Sequence, residues 1–457
     1  MFTQDFLNSI IKAYDIRGLV DGQVTPEFTR AVGAAFAQFL IEEGEPHTVI
    51  IGEDMRPSSP VLAAAFAEGA TTQGVDVIRM GLASTDMLYF ASGKLNLPGV
   101  MFTASHNPAA YNGIKMCKSG AAPIGQESGL LRIKELIGIG GVKVAANPGK
   151  VSKQSLLDSY VEFLLSLFPG TNKSSGRRLK VVIDAGNGMA GYTAPAVMDR
   201  LNVEVVPMYF ELDGNFPNHE ANPIEPKNLV DLQARVKAEA ADIGLAFDGD
   251  ADRCFLVDEN GELVNPSALT ALIAVRELKA KPGSSIIYNL ISSHTVPEVV
   301  AENGGTAIRS RVGHSYIKKM MAETGAIFGG EHSGHFYFAE FWRADSGMLA
   351  ALYALTELSA SDQKLSALLS PYNRYIASGE INTTVADTAA ALNRIRQSYS
   401  HNHEIDELDG ITVQGKGYWF NVRPSNTEPL LRLNVEADSQ EVLEAVIKEA
   451  QATIAQN

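Results

Sequence analysis

The segment Phe247-Asp-Gly-Asp-Ala-Asp-Arg253 sets three carboxylates at alternate positions directly after an apolar run. In an extended loop, a period of two puts Asp248, Asp250 and Asp252 on one side. Clustered carboxylates repel one another unless a cation lies between them. An all-oxygen set suits Mg²⁺ or Ca²⁺ and not zinc. Mg²⁺ held by few protein groups usually takes phosphate oxygens as further ligands. Arg253 follows at once, and its planar fork matches a phosphate. An EF-hand loop is excluded. Asp248, Asp250, Asp252 and Glu259 would fit its ligand positions, but Arg253 stands where the loop needs glycine, and the preceding run reads as a strand.

Three further segments carry reactive or recognition groups. In Thr103-Ala-Ser-His-Asn-Pro108 a serine lies just past the apolar run Gly99-Val-Met-Phe102. That is a good position for a nucleophile, and His106 and Lys115 are near in sequence to activate it. The same residues also read as a turn with a capping serine. Gly329-Gly-Glu-His-Ser-Gly-His335 offers Glu331, Ser333 and His335 at alternate positions, a fit for sugar hydroxyls. A plain polar turn, or a metal site on His332 and His335, reads equally from these residues. Arg423-Pro-Ser-Asn-Thr-Glu-Pro429 combines a cation, two hydroxyls, an amide and turn N–H groups. It is either a phosphate nest or a hairpin loop. Gly186-Asn-Gly188-Met-Ala-Gly191 is formally a dinucleotide fingerprint. Asp184, two residues ahead, would repel a pyrophosphate, so a tight strand–helix turn is the reading.

The elements that must position these groups follow from periodicity. Thr25-Pro26 starts an amphipathic helix that Gly44 can stop; Thr48–Gly52 then reads as a buried strand, Ser59-Pro60 as a helix start and Val75–Arg79 as a strand. The alternation restarts after the polar Thr171–Arg178 stretch, with strands at Lys180–Asp184, Val203–Val206 and Ile243–Phe247. It restarts again at Pro266, with strands at Ser285–Tyr288, Thr306–Ile308 and Ala326–Phe328. Such alternation favours mainly parallel, helix-covered sheets. Near the end, Leu431, Leu433 and Val435 alternate with Arg432, Asn434 and Glu436, which predicts an antiparallel sheet with one polar face. Asp438 and Glu441 predict the start of a last helix.

The fold class expected is therefore three tandem mixed α/β domains plus a smaller α+β C-terminal domain. Their bounds are 1–150, 151–258, 259–370 and 371–457. The 457 residues allow about three or four domains at ~150 residues each. A net charge of −15 argues against nucleic acid and against a polybasic membrane anchor. Two cysteines, no apolar run near ~18 residues and no signal-like start point to a cytoplasmic protein.

Taken together, these segments resemble the α-D-phosphohexomutase family, specifically its bacterial phosphomannomutase/phosphoglucomutase branch. Lys12-Ala-Tyr-Asp-Ile-Arg-Gly18 looks like the family's opening motif, Thr103–Pro108 its phosphoserine loop, Asp248–Arg253 its metal loop, Gly330–His335 its sugar loop and Arg423–Pro429 its phosphate loop. Asp213–Pro217 and Ala221–Pro223 also fit. The resemblance implies four domains around a central cleft. It implies that Ser105 carries a phosphoryl group, with Mg²⁺ held by Ser105, Asp248, Asp250 and Asp252. It surrounds Ser105 with Arg17, His106 and Lys115, the last or a nearby base handling the hydroxyl proton. Tyr14, Arg253, Gly313, His314, Glu331, Ser333, His335, Arg423, Ser425, Asn426 and Thr427 are its implied substrate contacts. The implied reaction moves phosphate between the 6- and 1-positions of a hexose phosphate through a hexose 1,6-bisphosphate.

Two features soften the match. Where some members carry a third-domain lysine, this chain has Tyr288-Asn289-Leu290, with Arg309, Arg311 and Lys318 as other sources of that charge. The sugar loop resembles the mannose-accepting branch. Phosphoglucosamine mutases look similar but usually have Gly at Asn426 and Ser at Thr103. The alternatives kept are a phosphoglucosamine mutase and a haloacid-dehalogenase-type phosphotransferase with Asp248 as nucleophile. The latter's motif fits Asp248-Gly-Asp250, but that superfamily usually has Thr or Val at Asp252. Monomer and homodimer are not distinguished.

Overall fold

The computed structural model describes residues 2–140, 144–168, 173–174, 176–424 and 430–455, without the side chains of His314 and Ser315. The chain forms two compact units, Met1–Val264 with Ser333–Leu368, and Asn265–His332 with Leu369–Asn457.

In the first unit, one sheet runs in the order Ile16–Leu19, Tyr111–Lys118, Gly99–Phe102, Thr48–Glu53, Asp76–Leu82, Val151–Lys153. The Thr48–Glu53, Gly99–Phe102, Asp76–Leu82 and Val151–Lys153 strands are parallel. Ile16–Leu19 and Tyr111–Lys118 add an antiparallel edge. Helix Pro26–Glu43 begins as its sequence requires: the Thr25 side chain accepts from Phe28 N–H, Pro26 opens the first turn and Gly44 closes the helix in the left-handed region. Its Phe28, Val32, Phe36 and Leu40 are fully buried in the core with Val49, Phe66 and Phe102.

A second sheet orders Cys254–Asp258, Ile243–Phe247, Leu179–Asp184, Val203–Met208, parallel except for Cys254–Asp258. The Gly186–Gly188 turn joins strand Leu179–Asp184 to helix Ala190–Met198, with Gly186 and Asn187 at positive φ. Asp184 accepts from Gly186 N–H and contacts His219 Nε2, so the loop's acid serves the turn itself. A short hairpin, Phe336–Phe338 with Ala344–Asp345, leads into helix Gly347–Ser359.

The second unit has parallel strands in the order Thr306–Ser310, Ser285–Asn289, Phe328–Gly330. It also has an antiparallel sheet ordered Ile376–Thr384, Leu430–Ala437, Tyr418–Pro424, Ile411–Gly415, Glu404–Asp406. Leu431, Leu433 and Val435 pack with Phe420, Ile395 and Leu443 under helices Thr388–Tyr399 and Gln440–Ala455. The other face departs from the expectation, because Asn434 and Glu436 are buried rather than solvated. Glu436 meets the demand that buried charges be paired by accepting from Trp419 Nε1 (2.8 Å) and His294 N–H (2.9 Å). The last helix is capped by Ser439, which accepts from Val442 N–H, and not by Asp438. No described helix is long and apolar enough to cross a membrane.

Candidate active site

Strand Gly99–Phe102 ends inside the first unit, and the chain turns at Thr103, whose Oγ1 accepts from Ser105 N–H at 2.9 Å. Ser105 sits at φ +49°, a left-handed conformation that a side chain adopts at a cost. The cost is met from beneath by Arg56, which is fully buried. Its Nη1 donates to Pro108 O and Tyr111 O, its Nη2 to Ser105 O and Asn107 O, all at 2.6–3.0 Å. Its Nε donates to Asp54 Oδ2 at 3.2 Å. All five guanidinium hydrogens are thus used. Burial pushes the Asp54 carboxyl upward, and Arg56 opposes that shift. Phe216 covers the guanidinium, with its ring centroid at 5.1 Å.

Strand Ile243–Phe247 delivers Asp248 to the same place. The metal-loop segment is not extended, as the alternation had suggested. Ala251 N–H donates to Asp248 O, and Ala251 lies at φ +60°, so a tight turn brings the carboxylates together. Oxygens of Asp248, Asp250 and Asp252 lie within 4.8 Å of one another. Gly249 is required here, since a Cβ would fall 2.3 Å from Ser105 O.

Ser105 Oγ donates to Asp248 Oδ2 at 2.7 Å. Arg253 donates to the same oxygen through Nε at 2.9 Å, and its Nη2 reaches Ser105 Oγ and His106 Nδ1. His106 Nδ1 lies 3.2 Å from Ser105 Oγ. Burial, and then the charges of Arg253 and Arg17, hold the imidazole well below its usual pKa, so it is neutral. Lys115, on strand Tyr111–Lys118, places Nζ 2.6 Å from both Asp250 Oδ2 and Asp252 Oδ2. Burial opposes its charge, but the two carboxylates outweigh burial and keep it well above the usual lysine range. In this arrangement Lys115 is a cation and balances charge.

A divalent cation fits the loop. The donors are hard oxygens, and Asp250 Oδ1 and Asp252 Oδ1 are buried with no hydrogen-bond partner. Both belong to a cluster of three aspartates in which Lys115 and Arg253 already neutralise part of the charge.

Arg17 reaches this centre from strand Ile16–Leu19, donating to Asn107 Oδ1 at 2.7 Å and to Asp15 Oδ2 at 2.6 Å. Tyr14 lies half-buried just before that strand. His335 pairs across a β-bridge with Arg253. Its Nε2 lies 3.5 Å from Asp252 Oδ1, and its Nδ1 is 2.9 Å from Ser333 Oγ. The first unit therefore assembles Ser105, His106, Lys115, Arg17, the three aspartates, Arg253, Ser333 and His335.

The second unit carries the remaining candidates. Glu331 is buried, and its Oε1 accepts from Gly313 N–H at 3.1 Å and from Asn289 Nδ2 at 3.4 Å. Arg309 is committed to Asp406 and Thr412, and Arg311 to Leu408 O. Lys318 is buried. Arg423, on strand Tyr418–Pro424, donates to Glu380 Oε2 at 3.0 Å, and Arg432 shares that carboxylate. Ser425, Asn426 and Thr427, and the side chain of His314, lie outside the described residues.

Arg56 and Asp54 escaped the sequence reading. Asp54-Met-Arg-Pro57 looks like an ordinary post-strand turn, and nothing local links it to a loop some fifty residues on.

The comparisons with known proteins converge. The phosphoglucomutase/phosphomannomutase alpha/beta/alpha domains I, II and III match residues 8–137, 158–261 and 265–375, and the C-terminal domain of the same family matches 380–452. A phosphomannomutase of Vibrio cholerae is 38% identical over 93% of this chain and 94% of its own. A phosphomannomutase/phosphoglucomutase of Pseudomonas aeruginosa is 38% identical over 96% and 94%. A crystal structure of a phosphoglucomutase/phosphomannomutase family protein from Burkholderia thailandensis superposes with a TM-score of 0.90 at 31% identity, covering 99% of this chain and 98% of that one. Four consecutive domain matches, close full-length relatives and a serine seated on an aspartate cluster lead to one conclusion: this chain belongs to the phosphoglucomutase/phosphomannomutase family.

Proposed function

We propose that this chain interconverts hexose 6-phosphates and hexose 1-phosphates, with mannose phosphates as the primary substrates and glucose phosphates as further ones. One observation carries the reading: Ser105 Oγ lies 2.7 Å from Asp248, inside a cluster of buried acids and bases built from strands of two sheets. In the resting enzyme Ser105 carries a phosphoryl group. Transfer breaks its P–Oγ bond and forms a bond from phosphorus to the free sugar hydroxyl oxygen, whose proton ends on the released Ser105 Oγ, giving a hexose 1,6-bisphosphate. The other phosphate then returns to Ser105 Oγ, and the isomeric monophosphate leaves.

Phosphoserine brings roughly −1.5 to −2 charges beside three aspartates. Arg253, Lys115 and Arg17 offset that charge, and positioning with charge stabilisation is what phosphoryl transfer requires. Asp248, Asp250, Asp252 and the phosphoserine would hold Mg²⁺, which when bound would supply Lewis-acid stabilisation of the phosphoryl oxygens. Neutral His106 accepts from Arg253 Nη2 at Nδ1, the nitrogen facing Ser105, and so orients that guanidinium at the serine. Ser333 and His335 contact sugar hydroxyls, with Tyr14, Gly313, His314 and Glu331 as further contacts. Arg423, Ser425, Asn426 and Thr427 hold the phosphate that is not transferring.

The test is a panel of mannose-, glucose- and glucosamine-phosphates with Mg²⁺ and a trace of bisphosphate, together with intact-mass analysis. Mannose and glucose phosphates isomerise, and one acid-stable phosphoryl group maps to Ser105. An acid-labile phosphate on Asp248, or no isomerisation of any sugar phosphate, overturns the reading. Turnover of glucosamine phosphate alone moves the substrate to that class.

A further inference from the structure

Helix Thr85–Leu95 starts against the metal loop. Thr85 N–H donates to the backbone carbonyl of Asp250 at 2.9 Å. The Thr85 hydroxyl donates to Asp250 Oδ2 at 2.6 Å. Lys115 Nζ takes that same oxygen, also at 2.6 Å. Oδ2 is therefore engaged, while Oδ1 is buried and without a partner. Thr85 itself is fully buried and is two-point bonded to one residue.

The next residue fixes Thr85 in place. Asp86 is buried and accepts from three hydroxyls: Ser84 Oγ, Tyr160 OH at 2.7 Å and Ser346 Oγ at 2.6 Å. Two of those hydroxyls also begin helices. Ser84 Oγ accepts from Met87 N–H at the start of Thr85–Leu95, and Ser346 Oγ accepts from Leu349 N–H at the start of Gly347–Ser359. The second helix also abuts the metal loop, since a Cβ on Gly347 would lie 2.8 Å from Arg253 O. One carboxylate thus ties both helix starts to the loop, and Thr85 cannot shift without breaking that tie.

We propose that Thr85 is a positioning residue for the cation site: it holds Asp250 in the orientation that leaves Oδ1 as the free ligand atom. The inference rests on the reading of Asp248, Asp250 and Asp252 as cation ligands. Groups that orient a metal ligand from behind typically cost about 10–100-fold in metal affinity or activity when removed.

The test uses the full chain and Mn²⁺ alone, with binding followed by electron paramagnetic resonance. Thr85→Val keeps the shape and removes the hydroxyl, and it weakens Mn²⁺ binding about tenfold. Thr85→Ser restores the hydroxyl and the affinity. In the isomerase assay, Thr85→Val raises the Mg²⁺ concentration for half-activation while kcat at saturating Mg²⁺ stays near the parent's. General damage to the fold would not produce that split. Should Thr85→Val not fold, Thr85→Ala carries the same expectation. Mn²⁺ affinity unchanged in Thr85→Val, or equally weak in Thr85→Ser, overturns the inference while leaving the metal reading intact. A parent chain that binds no Mn²⁺ overturns both.

Discussion

Ser105 is held at both ends of its own residue. Its hydroxyl is fixed by Asp248 and its carbonyl by Arg56, and the strained backbone between them persists because both contacts are buried. Removing Arg56 therefore has two separable consequences. Arg56→Met leaves Asp54 buried without its cation and four loop carbonyls without donors. Breaking a buried pair on one side costs roughly 3–5 kcal/mol, so its chemical-denaturation midpoint falls sharply. Adding Asp54→Asn removes the orphaned charge and recovers part of that stability. Activity stays low in the double variant, because the Ser105 loop still lacks its anchor. Full recovery of kcat in the double variant would show that Arg56 serves only Asp54. At this scale the sequence exposes what is clustered along the chain. Asp248, Asp250, Asp252 and Arg253 announce a cation and an anion within six residues. Arg56 and Thr85 give no such signal, because their partners are defined only when distant strands become neighbours.

Helix starts and strand ends do most of the placing. The caps at Thr25 and Gly44 were readable because capping chemistry is local, whereas the turn that gathers the aspartates was not, since alternation alone suggested an extended loop. The polar stripe Asn434 and Glu436 misled for a related reason: periodicity tells which residues share a face, not what covers it. Asp86 is the sharpest case of an element held by a buried charge. Burial raises its carboxyl pKa from 3.8 to about 6, while the hydroxyls of Ser346, Ser84 and Tyr160 oppose the shift and the charge of Asp252 adds to it. A folded pKa above the unfolded value means that folding takes up a proton between the two. The associated stability is full below about 4 and is lost as pH rises through about 6. Asp86→Asn removes this titration. The stability difference between parent and variant, from urea midpoints at pH 4 to 7, should change by on the order of 3 kcal/mol in favour of the variant as pH rises. A difference constant across that range would show that Asp86 is ionised throughout, as in the unfolded chain.

For the whole molecule, the net charge of −15 acquires a distribution. Part of the acid is gathered at one buried site with its own bases, and every group read as a cation ligand, Ser105, Asp248, Asp250 and Asp252, belongs to the first unit. The second unit holds Arg423, a cation paired with Glu380, and its described residues show no comparable acidic cluster. A metal that binds only the folded site stabilises what holds that site together, by about 2.7 kcal/mol at a hundred times its dissociation constant. Local opening is not uniform across a protein, so this stabilisation should register where the ligands are anchored. Hydrogen exchange followed by mass spectrometry, with Mg²⁺ added and no sugar present, should show slowed exchange in strands Gly99–Phe102, Tyr111–Lys118 and Ile243–Phe247 and at the start of helix Thr85–Leu95. Strands Ile411–Gly415, Tyr418–Pro424 and Leu430–Ala437 should exchange as before. Adding a sugar phosphate should then slow exchange around Arg423, because the phosphate supplies a second anion for a guanidinium that Glu380 now holds. Protection of the second unit by Mg²⁺ alone would mean that the cation has ligands other than the aspartate loop.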